Sequence, residues 1–459
     1  MMKKRKMSIV GIMLLALVSA FIMGAFFMKL HSILIDRGNA HIWDMIYALF
    51  FQDITVAGSH GIGIFYVVGT LFMNALRLTI IPLVFTSLVL AMSSISDLKK
   101  LGRIAYKGVF GFLFMYFIGC MFAGGVAFLA RNMNWISISS SITSGVGDIV
   151  KVDTANPLSV IMAMVPLNFF DAISNNGNVL AVVFVAIIIG LCIGILGDKA
   201  NIVKKLTEEV NEIIQLCIGF LINKLGPIAI FSLIVRAFAL YGFDQMKPVF
   251  VYVMVTIGVL LVYLLLGYPL IIALTTKLNP FIFMKKISKV ALLAFSTASS
   301  APAFPLNLKT NVEELGVSEE IANFILPLGM TINMNGTSIM HIIGTIFIAT
   351  VSGYHVTLTD LLMMSFLSIL AAAGTPALPA AGTVLLFTVM NGMGYVNEMA
   401  LITYSLILAI NKPVEMVLTS LNVVGDATTS LIVANSENEL DREIFYDKKV
   451  QYSEVKEVL

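Results

Sequence analysis

The chain has 459 residues, of which 58% are hydrophobic and only 12% charged, with a formal net charge of +2. Soluble domains carry roughly 25% charged residues, so this composition excludes an ordinary soluble protein and predicts a polytopic membrane protein in a lipid bilayer. The small net charge gives no basis for nucleic-acid binding.

The first 276 residues contain six apolar runs long enough to cross a bilayer. They lie at 8–28, 62–94, 104–130, 177–197, 211–240 and 247–276. Lysine and arginine cluster before the first run and after the second, fourth and sixth. By the positive-inside rule, these loops and both chain ends are expected in the cytoplasm.

After residue 277 the apolar stretches shorten, and two segments repeat the same pattern. Residues 285–314 and 358–393 each read as helix, small polar tip, helix. The first leads into a span interrupted at 331–337, and the second leads into a polar last helix. Such paired interruptions indicate a transporter site at mid-membrane. We expect two re-entrant hairpins that enter from opposite sides, as inverted repeats.

The last helix carries a stripe of polar residues. Asn411, Glu415, Thr419, Asn422 and Asp426 are spaced so that they share one helical face. Ionisable groups at membrane depth are functional candidates by default. A bare carboxylate there would take up a proton, whereas a bound cation keeps it charged.

Two polar segments therefore predict a cation site. A break at 333–337 would free carbonyl oxygens, which suit a small hard cation such as Na⁺. Asp426 and Asn422 would complete its ligands. The alternative for the break is an ordinary kink whose asparagines bond to neighbouring helices.

Other polar residues predict a substrate site. Glu415 is a counter-charge for a substrate ammonium group, or else an ion pair with Lys412 one turn away. Ser299, Ser300 and the backbone at 375–380 offer hydroxyls and helix N-termini to a carboxylate, or simply allow close packing. Asn411 has no assigned role.

Two motifs resemble a known family. Residues 326–337 read Leu-Pro-Leu-Gly-Met-Thr-Ile-Asn-Met-Asn-Gly-Thr, and residues 422–426 read Asn-Val-Val-Gly-Asp. Both are similar to the signatures of the dicarboxylate/amino acid:cation symporters, which include glutamate/aspartate and neutral amino acid transporters. The likeness runs from about residue 60 to 436.

This resemblance implies an all-α membrane protein with eight transmembrane helices plus two re-entrant hairpins. It also implies a homotrimer in the plasma membrane, with elevator-type alternating access. Helices 1–2 (1–95) and the extracellular loop with helices 4–5 (131–245) would form a static scaffold. Helix 3 (96–130) and residues 246–436 would form the moving transport domain. Residues 437–459 would be a solvated cytoplasmic tail.

The resemblance also assigns the coupling ion, Na⁺, and its ligands. One sodium site would use Gly329, Asn333, Asn422 and Asp426. A second would use Thr331 and the second hairpin tip at Thr375, whose closure gates the site.

For the substrate, the resemblance implies contacts from Thr337, Thr419 and Asn422. The family's amine-binding aspartate is Glu415 here. Leu418 stands where members that carry acidic substrates have an arginine. Burying a carboxylate without its partner costs about 3–5 kcal/mol, or roughly 10²–10³ in affinity. We therefore expect a neutral amino acid; an acidic amino acid or dicarboxylate symporter coupled to Na⁺ or H⁺ is the alternative, and a cation channel is disfavoured.

Three further departures concern a third sodium site. The signature's aspartate is Asn335 here, and Met115 and Tyr116 stand where hydroxyl ligands are expected. We expect this site to be lost. The five histidines, including His341, show no nucleophile–base arrangement, so an enzyme is not predicted.

Overall fold

The computed structural model describes residues 9–55, 59–96, 102–133, 135, 165–174, 179–241, 246–373 and 381–447. Among them, the extended pairing is limited to an isolated antiparallel bridge between Val317 and Leu440. The predicted all-α class is confirmed for this part of the chain.

The first half folds into long apolar helices joined by short amphipathic ones. They are α1 (Ile9–Asp36), α2 (Ala40–Phe50), α3 (Ile64–Ser96), α4 (Arg103–Asn132), α5 (Phe169–Ser174), α6 (Val179–Leu196), α7 (Asn201–Phe220) and α8 (Gly226–Tyr241). The fifth predicted run begins ten residues too late at 211, because α7 opens with an amphipathic, charged segment. A π-helical turn, Leu221–Leu225, then joins α7 to α8.

The second half has shorter helices. They are α9 (Met246–Val262), α10 (Tyr268–Thr276), α11 (Pro280–Thr297), α12 (Ser300–Glu313), α13 (Glu319–Ile332), α14 (Asn335–Val351), α15 (Leu358–Ala373), α16 (Ala381–Gly392), α17 (Glu398–Ile410), α18 (Lys412–Glu437) and α19 (Arg442–Tyr446). Across the described residues, seven helical stretches are long and apolar enough to span a bilayer, and four apolar helices are shorter. The number of crossings and the re-entrant path stay predictions.

Both predicted helix–tip–helix segments contain a pair of helices. In the first pair, α11 and α12, the chain reverses at Ala298, whose φ of 48° lies in the left-handed region. In the second pair, α15 and α16, residues 374–380 lie outside the described part of the chain. The predicted gating residue Thr375 is among them.

The predicted interruption after the first pair is confirmed. The helix α13 ends at Ile332, and α14 begins at Asn335. Asn333 between them has an extended backbone, with φ −86° and ψ 91°. We call residues 333–334 the break.

The polar helix α18 lies at the centre of the second half, where α11, α12, α13 and α14 pack around it. Every residue of α14 is buried, and α4 packs along it. The stripe on α18 thus faces protein and not lipid, as membrane polar groups require.

The chain after α18 folds back onto the first helix pair. Residues 438–447, the C-terminal strap, pair with the loop after α12: Asp441 N–H donates to Gly316 O at 2.8 Å, and Ser318 N–H donates to Glu439 O at 3.2 Å. Phe445 is completely buried. Most residues of the strap are exposed, as expected for a solvated tail, but Phe445 is an exception that packs into the core.

Candidate functional site

All five residues of the predicted stripe are buried, four of them on α18 and Asn411 at its N-cap: Asn411, Glu415, Thr419, Asn422 and Asp426. None exposes more than 6% of its surface. A buried polar group requires a partner, and those partners divide the stripe into two halves.

The Asp426 half lies against the break. Asn333 Nδ2 donates to Asp426 Oδ1 at 2.8 Å and to the carbonyl oxygen of Asn422 at 3.1 Å. A Cβ added at Gly329 would lie 2.4 Å from Asp426 Oδ1. The bare glycine therefore lets the carboxylate approach the last turn of α13, where the Gly329 carbonyl accepts the Asn333 N–H at 2.7 Å.

Asn422 joins α18 to the start of α14. Its Oδ1 accepts the Gly336 N–H at 2.7 Å, and its Nδ2 lies 3.4 Å from Thr337 Oγ1. The close approach requires glycine, because a Cβ at Gly336 would lie 2.6 Å from Leu418 O. The predicted residues Asn422, Thr337 and Leu418 thus meet at one place.

The Glu415 half is reached from the second helix pair. Thr383 Oγ1 donates to Glu415 Oε1 and accepts from Asn411 Nδ2 at 2.6 Å. Tyr252 O–H in turn donates to Asn411 Oδ1 at 2.8 Å. This chain of bonds gives Asn411 a defined position and connects α9, α16 and α18 at Glu415.

Sequence reasoning missed Thr383 and Tyr252. Both lie in apolar helices without a motif of their own, and they become polar neighbours of Glu415 only through packing. A weak signal existed for Thr383, which follows the second tip directly. Thr419, by contrast, bonds within its own helix, its Oγ1 donating to Glu415 O at 2.7 Å.

The substrate contacts expected of Ser299 and Ser300 in the first helix pair stay predictions. Ser300 is buried at the start of α12, and Ser299 is partly buried before it. A stronger connection comes from Asn307 of α12, which the sequence analysis did not select. Its Nδ2 donates to Val423 O of α18 at 3.2 Å. For Thr331, only its position in the last turn of α13 is described.

The Asp426 half fits a small hard cation. Its polar atoms are carboxylate, amide and main-chain oxygens, which such ions prefer. Among the described residues, Asn333 Oδ1 is a buried oxygen without a hydrogen-bond partner. A carboxylate with an unpartnered amide oxygen beside it supplies the negative charge and the open ligand that a sodium ion needs.

A broken helix facing a central polar helix, with one carboxylate at each half of the stripe, defines the core of a membrane transporter. The sodium:dicarboxylate symporter family model matches residues 9–436. The chain belongs to this family, which consists of symporters and not enzymes.

Relatives come from animals and bacteria. An excitatory amino acid transporter of Caenorhabditis elegans is 27% identical over 410 residues, covering 80% of each chain. A proton/sodium-glutamate symport protein of Bacillus caldotenax is 25% identical over 82% of this chain and 88% of its own. A C4-dicarboxylate transport protein of Cupriavidus pinatubonensis is 26% identical over 81% and 85%.

Proposed function

We propose that this protein is a sodium-coupled symporter that imports a neutral amino acid across the plasma membrane. It would work as a homotrimer with elevator-type alternating access, both termini being cytoplasmic. One observation carries the proposal. Asp426, a carboxylate that can bind a cation, shares one buried face with a second carboxylate, Glu415.

The sodium ion is assigned to the Asp426 half. Its ligands would be the Asp426 carboxylate, the Asn422 side chain, and main-chain oxygens of Gly329 and Asn333. The Asn333 amide, which now donates to Asp426, turns aside when the ion enters. A second ion would be held near Thr331 and Thr375.

The substrate is assigned to the space between the two halves. Glu415 would receive the ammonium group, and the tips at Ser299, Ser300 and Thr375 would receive the α-carboxylate. Four further side chains would line the rest of the substrate pocket: Thr337, Leu418, Thr419 and Asn422.

The substrate class follows from charge. Lys412, in the first turn, is the only basic residue of α18. Leu418 is buried, with its backbone against Gly336, and offers no charge to a second carboxylate. An acidic substrate would bury that group without its partner, at a cost of about 3–5 kcal/mol. This supports a neutral substrate.

The alternative is an acidic amino acid or dicarboxylate symporter driven by Na⁺ or H⁺. The relatives from Bacillus caldotenax and Cupriavidus pinatubonensis, whose names refer to glutamate and C4-dicarboxylates, favour it. A cation channel is the third reading; it would conduct without any substrate.

Uptake into proteoliposomes separates these functions. Purified protein is given labelled alanine, serine, glutamine, aspartate and succinate under a sodium gradient, a proton gradient, or none. We expect saturable, sodium-driven uptake of a neutral amino acid. Stronger saturable uptake of aspartate or succinate would overturn the substrate class, and sodium current without substrate would favour a channel.

A further inference from the structure

The hydroxyl of Tyr116 bridges the break between α13 and α14. Tyr116, on α4, donates its O–H to Ile332 O at 2.6 Å and accepts the Met334 N–H at 2.6 Å. Its side chain has no exposed surface. One phenol thus bonds both a carbonyl and an amide where the helix is interrupted, and the Met334 N–H also donates directly to Ile332 O at 3.2 Å.

Such groups need a partner, because bilayer interiors hold no water to replace the lost bonds. In transporters, carbonyls freed at a broken helix are often ligands of a coupling cation. A cation satisfies a carbonyl oxygen but repels an N–H group. A hydroxyl satisfies both, and here it occupies the Ile332 carbonyl.

The residue before Tyr116 on α4 and the residue after the break on α14 are poorer sodium ligands than a carboxylate. Met115 offers a thioether, a soft atom that sodium does not favour. The Met115 carbonyl already accepts from Tyr263 O–H at 3.0 Å. Asn335 carries no charge; its Nδ2 donates to Tyr268 OH at 3.3 Å, and its Oδ1 is a buried oxygen without a hydrogen-bond partner among the described residues.

The helix α4 packs closely against the break and the start of α14. Tyr116, Met334 and Ala372 form one small buried cluster, which connects the break to the second helix pair. One turn further along α4, a Cβ at Gly119 would lie 2.5 Å from Asn335 Oδ1. The absent side chain is what allows α4 to approach so closely that the phenol reaches the break.

We propose that the Tyr116 hydroxyl takes the structural place of a cation at this break, which holds the break in its binding conformation before sodium arrives. The inference rests on the proposed sodium coupling and deepens it. Sodium at Asp426 then binds to a segment that is already ordered, and the protein needs one ion fewer to order it. Tyr116 is a positioning residue that acts through Ile332 and Met334.

Hydrogen exchange measured by mass spectrometry tests this on the full-length protein. For the wild type, peptides covering 330–336 are expected to be as protected in choline chloride as in sodium chloride. In Tyr116→Phe they should exchange about tenfold faster without sodium, since tenfold corresponds to about 1.4 kcal/mol. Sodium should restore part of the protection.

The sodium concentration for half-maximal uptake gives a second readout. It should rise about tenfold in Tyr116→Phe. The matched control is Tyr354→Phe at the opposite end of α14. This variant also removes a hydroxyl that bonds to the backbone. The Tyr354 hydroxyl accepts from Val396 N–H at 3.2 Å and from Asn397 N–H at 3.1 Å. The control should leave the sodium dependence unchanged.

Two results would overturn the inference. One is rapid exchange at 330–336 in sodium-free wild type with strong protection by sodium, which would make the ion the ordering group. The other is an unchanged sodium dependence in a folded Tyr116→Phe. If that variant does not fold, the wild-type exchange decides. Absence of sodium-driven uptake by the wild type would instead count against the proposed function, which the exchange measurement does not require.

Discussion

The side-chain amide of Asn333 stands 2.8 Å from the carboxylate of Asp426 and also bonds the Asn422 carbonyl. One oxygen assigned to sodium, Asp426 Oδ1, therefore already accepts a hydrogen bond from this N–H₂ group. An ion and this amide compete for that oxygen. We therefore expect the Asn333–Asp426 bond to belong to the ion-free state and sodium binding to replace it by ion coordination.

Asp426→Asn should abolish sodium binding while preserving shape. The charge is lost but the amide remains nearly isosteric, so we expect at least about a 100-fold loss of sodium affinity, or about 2.7 kcal/mol. Sodium-dependent thermal stabilisation measures it, since a bound ligand raises stability by mass action. Asp360→Asn, at the cap formed with Thr357, is the control and should retain the sodium shift.

Gly329→Ala should weaken sodium binding through crowding. The added Cβ would lie 2.4 Å from Asp426 Oδ1 and 3.0 Å from Phe112 Cζ, so the carboxylate must move. We expect at least a tenfold rise in the sodium concentration for half-maximal uptake, about 1.4 kcal/mol.

The matched control is Gly258→Ala in α9, where the new Cβ would meet nothing within 4 Å. Alanine favours a helix interior by about 1 kcal/mol over glycine, so this variant should be at least as stable as the wild type. Equal sodium dependence of both variants would refute the crowding argument.

Leu418→Arg should move the substrate preference toward acids. A guanidinium there supplies the bidentate partner that a second substrate carboxylate requires. Competition uptake with aspartate and alanine should show aspartate gaining at least about tenfold relative to alanine. Leu418→Met, which conserves volume, should keep the wild-type preference. An arginine variant that folds and still ignores aspartate would argue against this site assignment.

Glu415→Gln should separate amine recognition from ion binding. Removing the counter-charge of the ammonium group should raise the KM for the amino acid by about 100-fold, or about 2.7 kcal/mol. Sodium-dependent thermal stabilisation should persist, because Asp426 is untouched. Thr383→Val tests the bond that positions Glu415 and should show a smaller rise. If Glu415→Gln also lost the sodium-dependent stabilisation, the two halves of the stripe would form a single binding site, contrary to this assignment.

Lys286→Met should loosen the C-terminal strap. Lys286 Nζ donates to the carbonyl oxygens of Glu314, Ile444 and Phe445 at 2.6, 3.0 and 2.8 Å. Leaving buried carbonyls unpaired costs about 1–3 kcal/mol each when the partner is removed. We expect a lower melting temperature and proteolysis within 438–447. Lys205→Met, at an exposed lysine of α7, should change neither.

The stripe on α18 was predictable because helical periodicity alone puts its five residues on one face. The break was predictable because asparagine and glycine interrupt an apolar run. The partner of Glu415 was not, since Thr383 lies in an otherwise apolar helix and is brought near only by the packing of α16. The strap escaped prediction because the apolar segment 444–446 is only three residues long and lies between charged residues, and local composition does not reveal a distant pocket.

Because of the C-terminal strap, the two helix pairs are attached to α18 with different strength. It is continuous with α18 and paired to the loop after α12, so that α11 and α12 are tethered to the last helix at this end. Swinging them away would break main-chain bonds and expose Phe445. The second pair reaches α18 through the Thr383 side chain, a bond that one rotamer change can release. We therefore expect the first helix pair, α11 and α12, to stay fixed against α18 and the second pair, α15 and α16, to move.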